Sequence, residues 1–383
     1  MLDFSHEERC YHCGACAQKC PTGAIQMEMG NDGFLYPEIN EEKCIHCGAC
    51  DRVCPHLNWE QKMPRLEDRT CFAAVSTINE QYKSASGGVF YSLARYFLQQ
   101  GGYVAGCVWD DTLTARHIVT NRLDEVERMR GSKYVWSDTT EIFREISELL
   151  KCGEKVLFTG TPCQVAAANN YFGKQENLLT CGIFCHGNTS PQMFALWKKD
   201  MEAKYGKMEN VVFRYHGPDG NDNAVQITFQ SGKKVRQEIN ENRFMRGFSE
   251  NYFGSESCKD EKCQYKEGNI PGDILIGDFW GYTGKKISKW MSAVICTPTG
   301  VTIFKKLEEE CLVEILPSEL SKITEKNGYL IHGTHINPLQ HEFIEMAKQR
   351  GFLKAYNKLG TMSWYKNFLY KIKLGKIKKF LKK

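Results

Sequence analysis

The chain has 383 residues, a formal charge of +4, and 42% hydrophobic and 12% aromatic residues. That is enough for two or three domains with a substantial core, and the near-neutral balance leaves no global nucleic-acid footprint. The N-terminal MLDFSHEERC lacks a basic segment followed by an apolar run, and no run of about 18 apolar residues occurs, so neither a secretory leader nor a membrane-spanning helix is expected. The 18 cysteines stand out. Their clustering argues for metal ligation in a reducing cytoplasm rather than for a disulfide scaffold.

Cys10, Cys13, Cys16 and Cys20, closed by Pro21, follow C-x2-C-x2-C-x3-C-P, and Cys44, Cys47, Cys50 and Cys54, closed by Pro55, repeat it. This is the bacterial two-cluster ferredoxin pattern, in which the fourth cysteine of each run serves the other cluster. The implied sets are Cys10, Cys13, Cys16 and Cys54 for one [4Fe–4S] cluster, and Cys44, Cys47, Cys50 and Cys20 for the second. Two-residue spacers wrap three thiolates around one face of a cube, and Gly14 and Gly48 permit close backbone approach. A zinc site takes four thiolates and leaves half of these cysteines unexplained. His12, His46 and His56 sit beside complete cysteine sets and are expected outside the ligand shell. GFLYPEIN between the runs predicts a short strand. A ferredoxin-like domain over residues 1–60 follows, with a polar, Pro-containing linker at 61–70.

Residues 71–340 alternate strand and helix signals, which predicts an α/β body. Strands are expected at 71–77, 103–109, 155–160 and 178–185, and helices at 84–102, 137–153 and 161–173. The segment 224–240 reads as a hairpin that makes the sheet mixed. Three strand-to-helix turns share a small-residue form: Ser84 to Gly88, Gly160-Thr161-Pro162-Cys163-Gln164, and Cys185-His186-Gly187-Asn188-Thr189-Ser190. With the basic turn Arg130 to Tyr134 they suggest a nucleotide-like cofactor held at helix N-termini, although each loop alone reads more often as a plain cap. No GxGxxG or GxxxxGK[ST] occurs, which disfavours a Rossmann dinucleotide site and excludes a P-loop.

Cys163, Cys185, Cys258 and Cys263 lie at or near turns, and four such thiols suffice for a third cluster, with Cys181 competing as a ligand. Cys71, Cys107, Cys152, Cys181, Cys296 and Cys311 read as small buried hydrophobes.

SASGGVF, RGSKYVWS, VLFTGTPCQVA, GIFCHGNTSP, the Cys258/Cys263 segment and GDILIGDFWG, in this order after the ferredoxin runs, carry a resemblance. The chain resembles the coenzyme F(420) hydrogenase/dehydrogenase beta-subunit family in its bacterial form with a fused N-terminal dicluster ferredoxin. The resemblance implies an FAD-containing iron–sulfur flavoprotein fold, with Cys163, Cys185, Cys258 and Cys263 holding a third [4Fe–4S] cluster beside the flavin. It places Ser86, Gly87, Gly88, Ser132, Lys133, Tyr134, Thr159, Gly160, Thr161, Gln164, His186, Gly187 and Asn188 around the flavin. The family's last two cysteines usually stand as CxxC; here four residues separate Cys258 from Cys263, a departure that bears on the geometry of that site.

A flavin joins one-electron clusters to two-electron substrates, so the expected activity is an oxidoreductase acting on a deazaflavin or another organic acceptor, in a setting such as polysaccharide biosynthesis. Lys133 is the candidate for stabilising a reduced flavin anion and His186 the candidate proton donor. The alternative is an electron-transfer subunit without a substrate of its own, feeding a partner enzyme. In either case a redox partner protein or small-molecule donor or acceptor is expected, and no nucleic acid. Residues 341–383 read as a helical basic tail. From Trp364 the chain carries eight lysines and no acid, interleaved with apolar residues. Such a segment suits peripheral contact with an anionic membrane; a solvated tail is the alternative.

Overall fold

The computed structural model describes residues 9–58, 63–78, 83–218, 220, 222–259, 262–285, 287–335 and 337–360. The lysine-rich segment from Trp364, and with it the expected membrane contact, lies outside these residues.

The two cysteine runs fold as near-copies. Gly14 and Gly48, at φ +69° and +68°, open five-residue helices α1 (Ala15–Lys19) and α2 (Ala49–Val53). Between them β1 (Ile25–Met29) and β2 (Leu35–Ile39) pair antiparallel, so GFLYPEIN supplies one strand of a two-stranded sheet.

The body continues through β3 (Thr70–Ser76), α3 (Val89–Gln99), β4 (Tyr103–Trp109), β5 (Ala115–Thr120), α4 (Leu123–Met129), α5 (Ile142–Lys151), β6 (Val156–Gly160), α6 (Pro162–Phe172), β7 (Leu178–Ile183) and α7 (Pro191–Tyr205). Then come β8 (Met208–Tyr215), β9 (Ala224–Phe229), β10 (Lys234–Glu238), α8 (Arg243–Ser249), β11 (Ile274–Asp278), β12 (Ser292–Cys296), α9 (Pro298–Glu309), β13 (Val313–Ser318), α10 (Leu320–Thr324), α11 (Gln340–Arg350) and α12 (Phe352–Leu359). An eight-stranded sheet has the order β13-β3-β12-β11-β7-β6-β4-β5. Its centre, β4, β6, β7 and β11, is parallel, while β5, β12 and β13 are antiparallel to their neighbours.

β6 and β12 are buried at every position, as strands covered on both faces must be. Successive side chains divide between the faces: Leu157 packs with α3, α4 and α9, while Val156 and Phe158 pack with α5 and α6. The 224–240 hairpin forms, but it joins β8 in a separate three-stranded sheet. The mixed character of the large sheet therefore comes from its flanking strands.

Three expected boundaries move. The helix expected from residue 84 starts at Val89, because Gly88 sits at φ +80° and a Cβ on Gly87 would lie 2.7 Å from Ala74 O. The helix expected from residue 137 starts at Ile142. Upstream, Asp138 N–H bonds to Ala115 O across a parallel bridge, and the Asp138 carboxylate accepts from Thr140. Residues 341–360 do not begin a tail: α11 and α12 bury Phe343, Phe352 and Tyr356 in the core with Trp197 and Phe244.

The segment expected as a linker is partly buried structure. Leu66 is buried, and the Arg69 guanidinium donates to the carbonyls of Pro64 (2.9 Å), Gly272 (3.0 Å) and Ile270 (2.7 Å). The cysteine module is likewise docked on the body. Gln18 donates to Thr139 O (2.9 Å) and accepts from Phe143 N (2.7 Å), Thr139 donates to Cys13 O (2.8 Å), and Ser190 donates to Asp32 O (2.7 Å).

Candidate functional site

Burial grades the cysteines from outside inward. Cys47 is exposed and Cys20, Cys44 and Cys50 are half-buried, whereas Cys13 and Cys16 are buried. Burial first, then proximity to Cys54, Asp32 and Cys163, pushes the Cys10 thiol up to about 12. Cys54 also raises Cys13 and Cys16 after burial has done so, so it sits among the first three cysteines of the other run. His12 stays outside this set: its ring bonds Ser255 Oγ (2.8 Å) and Leu35 O (3.2 Å), stacked on Phe34.

Cys163, Cys185, Cys258 and Cys263, from α6, the end of β7 and the 256–263 loop, converge. Burial pushes Cys185 up to about 12, with Cys163 and Cys263 adding to the rise, and burial followed by Cys263, Cys185 and Cys163 raises Cys258 further. Four neighbouring thiols, Cys163 and Cys258 buried and Cys185 and Cys263 half-buried, do not all ionise unaided; a cation in their midst is what such a donor set accommodates. Cys258 ends a 3-10 turn at Glu256–Cys258, and Cys263 N–H bonds to Lys259 O (2.9 Å). Cys181 is not part of the group; it lies in the sheet core with Ile274 and Cys296. Lys266, which the sequence did not single out, is buried and donates to Cys185 O (2.8 Å) and to Tyr329 O.

Of the other cysteines read as buried, Cys71, Cys181 and Cys296 are, Cys107 is half-buried, and Cys152 and Cys311 are exposed. The last two fall at the ends of α5 and α9, where the helices run out into solvent.

Beside the quartet lies a cavity of about 460 Å³ at the C-terminal ends of the parallel strands, the position where open α/β sheets bind ligands. Ser86, Gly88, Ser132, Lys133, Tyr134, Thr159, Gly160, Thr161, Gln164, His186, Gly187 and Asn188 all line it. Gly87 does not; its backbone packs on Ala74 and Ser292. Asn188 connects cavity and quartet: its backbone N–H donates to Cys258 Sγ (3.2 Å) and its side chain to Cys163 Sγ (3.6 Å).

Several lining side chains are already committed. Thr161 and Gln164 close a capping box on α6, and Gln164 also donates to Ser137 O (3.0 Å). The Lys133 amine donates to Arg128 O (2.7 Å) and Arg130 O (3.1 Å) at the end of α4, and burial lowers it to about 8. Its charge thus serves a helix C-terminus. His186 bonds Asn251 Oδ1 (3.2 Å), and burial lowers its pKa, so it is neutral at neutral pH.

Residues distant in sequence complete the wall. Arg214 pairs with Asp278 (2.8 Å), approaches Tyr134 Oη (3.4 Å), and lies 5.1 Å from the Trp280 ring and 5.5 Å from that of Trp290. His117, lowered to about 4 chiefly by burial, donates from Nε2 to Thr159 O (2.9 Å) and accepts at Nδ1 from Ser137 Oγ (2.9 Å). Two buried donors on this wall, Trp136 Nε1 and Arg214 Nε, have no partner among the described residues. An orphaned donor is costly in a folded protein, and both suit a polar ligand.

Residues 9–58 match the 4Fe-4S dicluster domain, and residues 153–320 match the C terminus of the coenzyme F420 hydrogenase/dehydrogenase beta subunit. Residues 153–320 are thus a domain of the F420 hydrogenase/dehydrogenase beta-subunit type. No curated protein matches it. A chain of the F420-reducing [NiFe] hydrogenase complex from Methanosarcina barkeri, in a xenon-derivatised structure, is similar at 19% identity and a TM-score of 0.45, over 79% of this chain and 93% of that one. At that level the likeness carries no argument. The chain is an iron–sulfur electron-transfer protein with a small ferredoxin-like module on a mixed α/β body. Among the described residues no helix is long and apolar enough to cross a membrane.

Proposed function

We propose that the chain is an iron–sulfur flavoprotein oxidoreductase in which the ferredoxin module feeds a third [4Fe–4S] site, and that site a flavin in the adjoining cavity. The observation that carries this reading is the convergence of Cys163, Cys185, Cys258 and Cys263 against a cavity walled by the small-residue loops, with Asn188 bonded to two of the sulfurs.

A flavin supplies the exchange of one electron at a time with clusters and of two with an organic substrate. The residues present fit it. Backbone N–H groups at the start of α3, where Gly88, Val89 and Phe90 line the cavity, suit a pyrophosphate, and the orphaned Trp136 and Arg214 donors suit ring or ribityl oxygens. Arg214 is neutralised by Asp278 and stays planar between tryptophan faces. Lys133 orders the Arg130–Tyr134 turn rather than offering a free cation. His186, neutral and fixed by Asn251, is the residue available to hold or pass a proton at Nδ1. The substrate is a two-electron organic acceptor or donor, a deazaflavin or another, and electrons are exchanged with a redox partner at the exposed Cys47 side.

The test is the flavin content and absorbance of anaerobically purified full chain, with dye reduction driven by a two-electron donor. One flavin per chain and flavin-dependent turnover support the reading. Iron–sulfur absorbance without flavin supports the substrate-free electron carrier instead.

A further inference from the structure

Two tyrosines cross between the ferredoxin module and the quartet in opposite directions. Tyr11 follows Cys10, and its hydroxyl donates to Lys262 O (3.3 Å) and accepts from Gln264 N–H (3.2 Å). Those are the two residues that flank Cys263. Tyr265 stands two residues beyond Cys263, and its hydroxyl donates to Pro55 O (2.9 Å), immediately after Cys54. Each ring therefore leaves the backbone beside a ligand of one set and ends on the backbone beside a ligand of the other. The rings meet at 5.1 Å between centroids. Both are essentially buried, at 3% and 1% exposure, and they form a small apolar cluster with Cys163, Ala166 and Cys263. Gln264 adds a third tie by donating from its side chain to His56 O (3.3 Å).

We propose that Tyr11 and Tyr265 are positioning residues that clasp the Cys10/Cys13/Cys16/Cys54 site to the Cys163/Cys185/Cys258/Cys263 site, fixing their separation and keeping water out of the gap. The inference rests on the third-cluster reading. The step it serves moves one electron: the donor site is oxidised by one as the acceptor site is reduced by one, and no bond or proton changes place. A clasp matters here because Cys263 lies in the loop that carries the four-residue spacer. Tyr11 holds the backbone on both sides of Cys263, and Lys262 N–H and Cys263 N–H bond back to Lys259 O. With the hydroxyl removed, the loop can swing, the Cys263 thiolate loosens, and solvent reaches the site.

The experiment uses full-length wild type and the Tyr11→Phe, Tyr265→Phe and double variants, each keeping the ring. Tyr171→Phe is the control, because Tyr171 donates to Gln18 O (3.3 Å) across the same module boundary but between neither pair of cysteine sets. Iron release to a chelator is followed in the anaerobic, dithionite-reduced protein, together with the electron paramagnetic resonance spectrum of the reduced clusters. Wild type should carry about twelve irons. In the clasp variants about four of these should be released about tenfold faster, the scale on which partners of ligands change metal retention, and spin coupling between neighbouring clusters should weaken. Tyr171→Phe should match wild type. About eight irons in wild type would overturn the third-cluster reading and the clasp with it. About twelve irons with clasp variants that behave like wild type, or like Tyr171→Phe, would overturn the clasp alone.

Discussion

In an Asp278→Asn variant the Arg214 guanidinium keeps its burial and loses its counter-charge. The Arg214 side chain is 3% exposed and that of Asp278 18%, with contacts of 2.8 and 3.5 Å between them. Removing one partner of a buried pair costs about 3–5 kcal/mol, because the remaining charge is stranded. An interaction at about 4 Å and an effective dielectric of about 20 gives a similar figure of about 4 kcal/mol. The Trp280 and Trp290 faces are unchanged by the substitution and cancel; because Asp278 is still 18% exposed, the loss should lie at the low end of the range, about 3 kcal/mol. At roughly 2–4 °C per kcal/mol, the thermal midpoint of the anaerobic protein, read by tryptophan fluorescence, should fall by roughly 6–12 °C. The double variant Arg214→Met/Asp278→Leu removes both charges and should recover most of that fall. A shift below about 2 °C for Asp278→Asn, or a double variant no better than the single one, would refute the argument that this pair is an electrostatic unit.

Stability should fall with acid through His117. Its folded pKa of about 4 lies below the ordinary 6.5, so the unfolded chain binds more protons between these values and stability drops as pH falls through that window. At pH 5 the loss is about 2 kcal/mol, and urea midpoints for His117→Gln should show a flatter dependence between pH 7 and 5. Gln18→Leu, which breaks the bonds to Thr139 O and Phe143 N, should cost about 2–4 kcal/mol by stranding buried groups. Proteolysis between module and body should then accelerate. Lys266→Met removes the cation beside Cys185 and should lower the midpoint potential of the third site by on the order of tens of millivolts, measured by redox titration; an unchanged or raised potential would count against its electrostatic role.

Much of the site was legible because its signals are local. Cysteine spacing and the small-residue loops Gly160–Gln164 and Cys185–Ser190 are short patterns that the sequence displays directly, whereas Ser84–Gly88, read as the start of a helix, precedes it. What could not be read depends on partners far apart in sequence. Arg214 and Asp278 are 64 residues apart, and Tyr11 reaches a backbone 251 residues away. No periodicity announces either contact. Arg69 looked like linker polarity because a charged residue in PRLEDRT gives no hint of three waiting carbonyls. Lys133 was attractive as a free cation until the end of α4 claimed its amine. His117 was passed over because, within ARHIVT, it looks like any strand residue.

A third cluster held by Cys163, Cys185, Cys258 and Cys263, as proposed, would show directly in the iron content. Iron and acid-labile sulfide should be counted on anaerobically purified wild type, Cys163→Ala and Cys181→Ala. About twelve irons in wild type, about eight in Cys163→Ala and about twelve in Cys181→Ala are the predicted result. About eight irons in all three would contradict it.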